Sequence, residues 1–340
     1  MNSQSESAAG SDWGAATPFG ATLEPALREA CGGRLSRVNW FRTAWQRGGA
    51  VTGYATFTAG DGAEHRVVVK LPVPPRERRW LKALQGVGDG DDEAVHAGGI
   101  PRVWADGASL GGYDLAWVVM ERIGHGPMDH RWGGREFDGV VDAAGRFYAG
   151  AAAVAIDPSS EARRRDWSAM LAAGRERVKA RGASQPQRWK AALKRASRRL
   201  DGWVERWAER GAEDWCHGDL HLGNCLCRSS PEDADGLPGA GGPGDAVLID
   251  LAEVRVGHWV EDAVYLEQQF WSSPHRLGGR KLVSLLARER KARGLRVGEG
   301  WPELAKVKRA LLAMATATRF HEVSHAHADA ALGVLEREVG

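Results

Sequence analysis

Trp215-Cys-His-Gly-Asp-Leu-His-Leu-Gly-Asn-Cys225, followed after a polar stretch by Val247-Leu-Ile-Asp-Leu251, decides how the rest of this 340-residue sequence is read. A short apolar lead-in reaches an acid, Asp219, then a tight turn and an amide, Asn224. A second acid, Asp250, closes an apolar run. These side-chain types suit phosphoryl transfer. One carboxylate can accept a proton from an attacking hydroxyl, while an amide oxygen and a second carboxylate can hold magnesium on nucleotide phosphates. Asp and Asn are also common turn formers. The second acid, placed where such a site needs one, argues for chemistry over turn formation.

His217-Gly-Asp-Leu-His-Leu-Gly-Asn224 with Ile249-Asp250 resembles the signature of the aminoglycoside phosphotransferase and choline kinase-like family, small-molecule kinases of the protein-kinase-like superfamily. The resemblance runs roughly from Arg34 to Trp271. It implies a bilobal α+β fold, with an antiparallel sheet plus a helix in the N-lobe, a mostly helical C-lobe, and ATP (GTP the alternative) in the cleft. It implies that Asp219 is the catalytic base, that Asn224 and Asp250 bind Mg2+, and that His217, His221 and Asp262 support the loop. Two departures stand out: Leu251-Ala-Glu253 lacks the aromatic residue that often follows the metal acid, and Val264 matches the segment around Asp262 only approximately.

Working towards the N-terminus, three β-rich runs bounded by glycines read as a meander: Val38 to Trp45, Val51 to Thr58, and Val67 to Leu71. The Gly48-Gly49 turn offers bare amides that could cover phosphates, although two glycines usually make only a hairpin. Lys70 follows three valines near the end of a central strand and needs an anionic partner or a path to water. In a kinase-like fold it contacts phosphate and pairs with a helical glutamate. Glu77, in a Pro75-initiated helix running to Leu84, is the candidate, with Glu93 as fallback. Ile100 to Trp104 and Leu115 to Ile123 read as further strands. By resemblance, the second ends at the hinge, where backbone groups of Glu121 and Ile123 bind adenine.

From Phe137 onward the periodicity is helical. Val140 to Ala155 reads as one helix, and 163–210 as a basic helix pair with interleaved tryptophans, turning at Gly182 to Pro186. Interrupting acids favour a solvated surface over a nucleic-acid face. The Gly-, Pro- and Asp-rich stretch 228–245 reads as a flexible insertion at a hairpin tip. Trp259, Glu261, Glu267, Phe270 and Trp271 suit either a cationic or sugar-like substrate or plain helix packing. His321-Glu-Val-Ser-His325 has the spacing of a zinc hydrolase helix, with Asp329 one turn further on, but few residues remain to supply a third ligand.

The remaining features set bounds. Residues 1–18 read as a disordered leader without a secretory pattern, 19–123 as the N-lobe and 124–340 as the C-lobe. A 43% apolar content supplies a large core, and a net charge of +2 gives no global reason to expect nucleic acid. The longest apolar runs are too short for a membrane span. Cys225-Leu-Cys227 lacks the spacing of a redox or zinc pair, so the four cysteines point to thiols in a reducing cytoplasm. The reading is a small-molecule kinase. A non-catalytic nucleotide-binding module and a zinc hydrolase are the alternatives. The hydroxyl substrate (aminoglycoside-like antibiotic, sugar, amino alcohol or metabolite) is left open.

Overall fold

A computed structural model describes residues 18–41, 50–85, 99–129, 134–161, 165–180, 183–229 and 245–340. The leader 1–17, the Gly48-Gly49 turn, Glu93 and insertion residues 230–244 lie outside the described residues. The chain divides into two compact units, 1–82 with 101–122, and 83–100 with 123–340.

In the first unit, helix α1 (Pro18–Ala30) precedes strands β1 (Asn39–Phe41), β2 (Val51–Thr58) and β3 (Glu64–Leu71). Helix α2 (Pro75–Ala83) follows, then β4 (Val103–Gly107) and β5 (Trp117–Glu121). The strands form one antiparallel sheet in the order β1-β2-β3-β5-β4. Period-2 alternation puts Val67, Val69 and Leu71 of β3 into the core with Leu27, Trp40, Phe57 and Val119. Lys70 therefore projects from the opposite face of a central strand. β4 starts three residues later than the sequence suggests. Pro101 has no amide to give a ladder, and pairing begins only where Arg102 and Glu121 bond through Glu121 N–H to Arg102 C=O at 2.7 Å.

The second unit is mostly helical. It carries α3 (Glu136–Ala151), α4 (Trp167–Lys179), α5 (Pro186–Ala208), α6 (Val260–Gln268), α7 (Leu282–Ala292), α8 (Trp301–Thr316) and α9 (His325–Val339). Two short ladders join them: β6 (Asp214–Cys216) pairs with β9 (Arg255–Gly257), and β7 (Cys225–Cys227) with β8 (Ala246–Leu248). α3 begins and ends four residues before the expected helix, despite the alanines after it. The Trp215 indole takes the Val154 carbonyl at 3.0 Å, a tertiary bond that overrides local propensity. On α5, Trp189, Ala192, Leu193, Ala196, Leu200 and Trp207 share the buried stripe, which leaves the basic residues on the outer face. The expected hairpin around the insertion is formed, with Cys225 opposite Leu248 and Cys227 opposite Ala246. All four cysteines are buried free thiols. No helix among the described residues is long and apolar enough to cross a membrane.

Candidate active site

The loop between β6 and β7 is fixed before any ligand is considered. Gly218 has φ +87°, and a Cβ there would lie 2.1 Å from the Glu253 carbonyl, so the turn admits only glycine. Asp262, in the first turn of α6 and 1% exposed, accepts from the amides of His217 at 2.7 Å and Gly218 at 2.9 Å. Its carboxylate also accepts from the Tyr148 hydroxyl of α3 at 3.0 Å. The His217 imidazole is buried. It accepts from the Asp219 amide at Nδ1 (3.3 Å), which makes Nε2 the donor to the Ile249 carbonyl at 3.1 Å. That tautomer is neutral, and burial pushes the imidazole pKa down in the same direction.

Three groups converge on the Asp219 carboxylate. His221 Nε2 approaches at 3.5 Å, long for a hydrogen bond. The Tyr265 hydroxyl donates to Oδ1 at 2.8 Å, and the Asn224 amide donates to Oδ2 at 3.1 Å. The close approach of His221 first, then the hydrogen bonds from Tyr265 and Asn224, outweigh burial and hold the carboxyl well below the usual carboxylate range. Burial and the bond to Asp219 push the Tyr265 phenol up, so it stays a donor.

Asn224 spends both amide hydrogens on Asp219, the second on its carbonyl at 3.0 Å. Its side-chain oxygen is therefore the end turned away from that acid. The Asn224 main-chain carbonyl accepts from Ile249 N–H at 2.9 Å, which joins the amide's segment to the residue before Asp250. Asp250 lies two residues beyond β8, off the strand expected to carry it. It is exposed and left-handed, with φ 62° and ψ 67°. Asp tolerates that region better than most residues, and such outliers collect at functional sites.

In the first unit, Lys70 Nζ lies 2.7 Å from both carboxylate oxygens of Glu77, which is 2% exposed. The expected lysine–glutamate pair is formed, with Glu77 in the first turn of α2. Glu121 donates its amide to Arg102 C=O, and its carboxylate accepts from Arg102 N–H at 3.1 Å. Ile123 is the first residue after the division between the units.

Tyr265 and Tyr148 were not singled out in the sequence. Tyr265 had one available signal: it follows Asp262 by three residues and so shares its helix face. Tyr148 comes from a helix 114 residues before Asp262 and gave none. The zinc helix is overturned. His321 lies in a turn, Ser324 caps α9 by accepting from His327 N–H, and His325 is the first helical residue. The two imidazoles therefore do not share a helix face, and the Asp329 carboxylate accepts from the Ser184 hydroxyl. Among the described residues, no three His, Cys, Asp or Glu side chains cluster to hold a metal.

Comparison with known proteins agrees with this geometry. The profile of the APH family, "Phosphotransferase enzyme family", matches residues 53–307. No curated protein matches the chain. Among solved structures, a Ralstonia eutropha JMP134 protein assigned to the aminoglycoside phosphotransferases is similar at TM-score 0.53 and 13% identity, over 94% of this chain and 96% of that one. Spectinomycin phosphotransferase APH(9)-Ia, solved with ADP and spectinomycin, gives 0.49 and 11%, over 92% and 97%. APH(4)-Ia, a thermostable mutant solved with ADP and hygromycin B, gives 0.48 and 15%, over 94% and 98%. The chain therefore belongs to the phosphotransferase enzyme family, and its fold is the α+β, protein-kinase-like fold of that family.

Proposed function

We propose that this protein is an ATP-dependent kinase that phosphorylates a hydroxyl group of a small molecule. The observation that carries this reading is Asp219: an ionised carboxylate, oriented from three sides, on a loop whose backbone is locked by a buried acid. Asp219 accepts the proton of the attacking alcohol and orients its oxygen. Lys70 neutralises phosphate charge, and Glu77 holds the ammonium in place. Glu121 and Ile123 meet the base through their backbones. His217, His221 and Asp262 preserve the shape of the loop. With no covalent intermediate, rate enhancement comes from positioning and charge neutralisation.

The donor set fits magnesium. Asn224 and Asp250 offer side-chain oxygens on segments bonded to each other, and the exposed, left-handed Asp250 makes no capping hydrogen bond to the 3-10 turn that follows it. Magnesium held there would screen the phosphate oxygens that the alcohol approaches.

The direct test is ATP and GTP consumption by the purified chain, with magnesium or with EDTA, against a library of hydroxylated metabolites and antibiotics. Magnesium-dependent transfer to at least one alcohol is the expected result. Tight nucleotide binding with no transfer to any alcohol would favour a non-catalytic module.

Two further outcomes are expected. Lys70→Met should lower transfer about a hundredfold. It should also lower the urea midpoint, because the buried Glu77 carboxylate loses the Lys70 ammonium 2.7 Å away. Tyr265→Phe removes a donor that favours ionised Asp219, so the pKa of the base rises. The acid limb of the kcat/KM profile should move to higher pH, with less than about a tenfold loss at neutral pH. An unmoved limb would deny Tyr265 that role.

A further inference from the structure

The acids whose sequence suited a cationic substrate are spent inside the fold. Glu267 takes both arms of Arg309, at 2.7 and 2.8 Å. Glu261, 6% exposed, has Arg210 at 3.1 Å, Arg255 at 3.6 Å and Lys308 at 3.8 Å. Arg210 follows α5, Lys308 lies on α8 and Arg255 opens β9, so Glu261 ties three segments together at the residue before Asp262. Arg255 leads from this hub back to the proton acceptor.

Arg255 stands opposite Cys216 of β6, two residues before Gly218. Its guanidinium lies where Gly218 would carry a side chain: a Cβ there would sit 2.2 Å from Arg255 Nη1. The same Nη1 donates to the Glu253 carbonyl at 3.4 Å, and Nη2 faces Glu261. Nε is buried and, among the described residues, has no acceptor. A buried N–H without an acceptor is destabilising, and Glu261 has two other cations, so stability does not explain an arginine here.

Its position does. Gly218 is the joint immediately before Asp219. Glycine restricts its own torsions little, so its neighbours must set them. Asp262 fixes the amide side of the joint by accepting from the Gly218 N–H. On the carbonyl side, whose torsion aims Asp219, the Asp219 N–H donates to His217 Nδ1, long at 3.3 Å. The Arg255 plane packs against the Cα between the two.

We propose that Arg255 is a positioning residue for phosphoryl transfer. Its guanidinium, held by Glu261 and the Glu253 carbonyl, packs on Gly218 and sets the direction of the Asp219 carboxylate. This assignment rests on the kinase reading above. Arg255 acts through Asp219, so its effect falls on kcat and not on nucleotide binding.

The test uses the full chain, the alcohol on which the parent is most active, and the variants Arg255→Met and Arg255→Lys. Arg255→Met keeps an apolar stem and loses the fork. Its kcat should fall about thirtyfold, with KM for ATP within about threefold of the parent. Its urea midpoint should stay at the parental value, because Glu261 keeps Arg210 and Lys308. Amide hydrogen exchange followed by NMR should be about tenfold faster at Asp219 and unchanged along α8. Arg255→Lys keeps a positive charge beside Glu261 but has no plane to lay on Gly218, so it should recover no more than about a third of the parental kcat. A parental kcat in Arg255→Met, a loss that tracks a lowered urea midpoint, unchanged exchange at Asp219, or full recovery by lysine would each overturn the assignment. A parent that transfers phosphate to no alcohol would sink the kinase reading alone, because exchange at Asp219 still decides whether Arg255 holds the turn.

Discussion

Asp219→Ala should lower phosphoryl transfer about a thousandfold or more while nucleotide affinity stays within a few-fold of the parent. A positioned general base contributes roughly 10²–10⁴ in rate, and Asp219 also orients the alcohol. The asparagine variant is less clean. Its amide nitrogen would face the Asn224 donor that now reaches Oδ2 at 3.1 Å, so it would disturb a magnesium candidate as well as remove the base. Stability offers an independent readout. The folded chain holds the Asp219 carboxyl pKa well below its unfolded value. Its stabilisation is therefore present above the unfolded carboxylate pKa and lost as pH falls through the folded one. Asp219→Ala should flatten the acid side of the stability curve, seen as a smaller fall in thermal midpoint on acidification. Full transfer activity in this variant would end the kinase reading.

Asp262→Ala should have the largest effect on stability. It leaves the His217 amide and the Tyr148 hydroxyl, both buried, and the partly buried Gly218 amide without their acceptor. Each orphaned donor costs roughly 1–3 kcal/mol, and for coupled groups a total of about 4 kcal/mol is expected in urea titration. Activity should fall by at least a hundredfold in whatever remains folded, since the Asp219 turn is no longer fixed. An unchanged urea midpoint would mean that the loop is held by something else.

The parts of the site legible in the sequence are those whose partners are close in the chain. Asp219 and Asn224 are five residues apart, and Lys70 and Glu77 are seven apart on a strand and the next helix. Gly218 could be anticipated because a tight turn next to a required acid leaves little room for a Cβ. What the sequence hid depends on distant contacts. Tyr148 reaches Asp262 across 114 residues, and Arg210 reaches Glu261 across 51. No local spacing announces such pairs. The end of α3 was misread because the bond from Trp215 to Val154, 61 residues away, outweighs the helix preference of alanine. The His321 and His325 spacing misled for the opposite reason. Periodicity presumes a helix, and the Ser324 cap starts that helix only after His321.

The acceptor for the His217 and Gly218 amides comes 45 and 44 residues later in the chain. During synthesis, the segment bearing Asp219 leaves the ribosome well before the acid that gives it a fixed shape. A nascent chain that has emerged only as far as Asp250 already contains Asp219, Asn224 and Asp250, yet the turn bearing Asp219 lacks the acid that holds its amides. The shape of that turn is completed only when the helix bearing Asp262 docks.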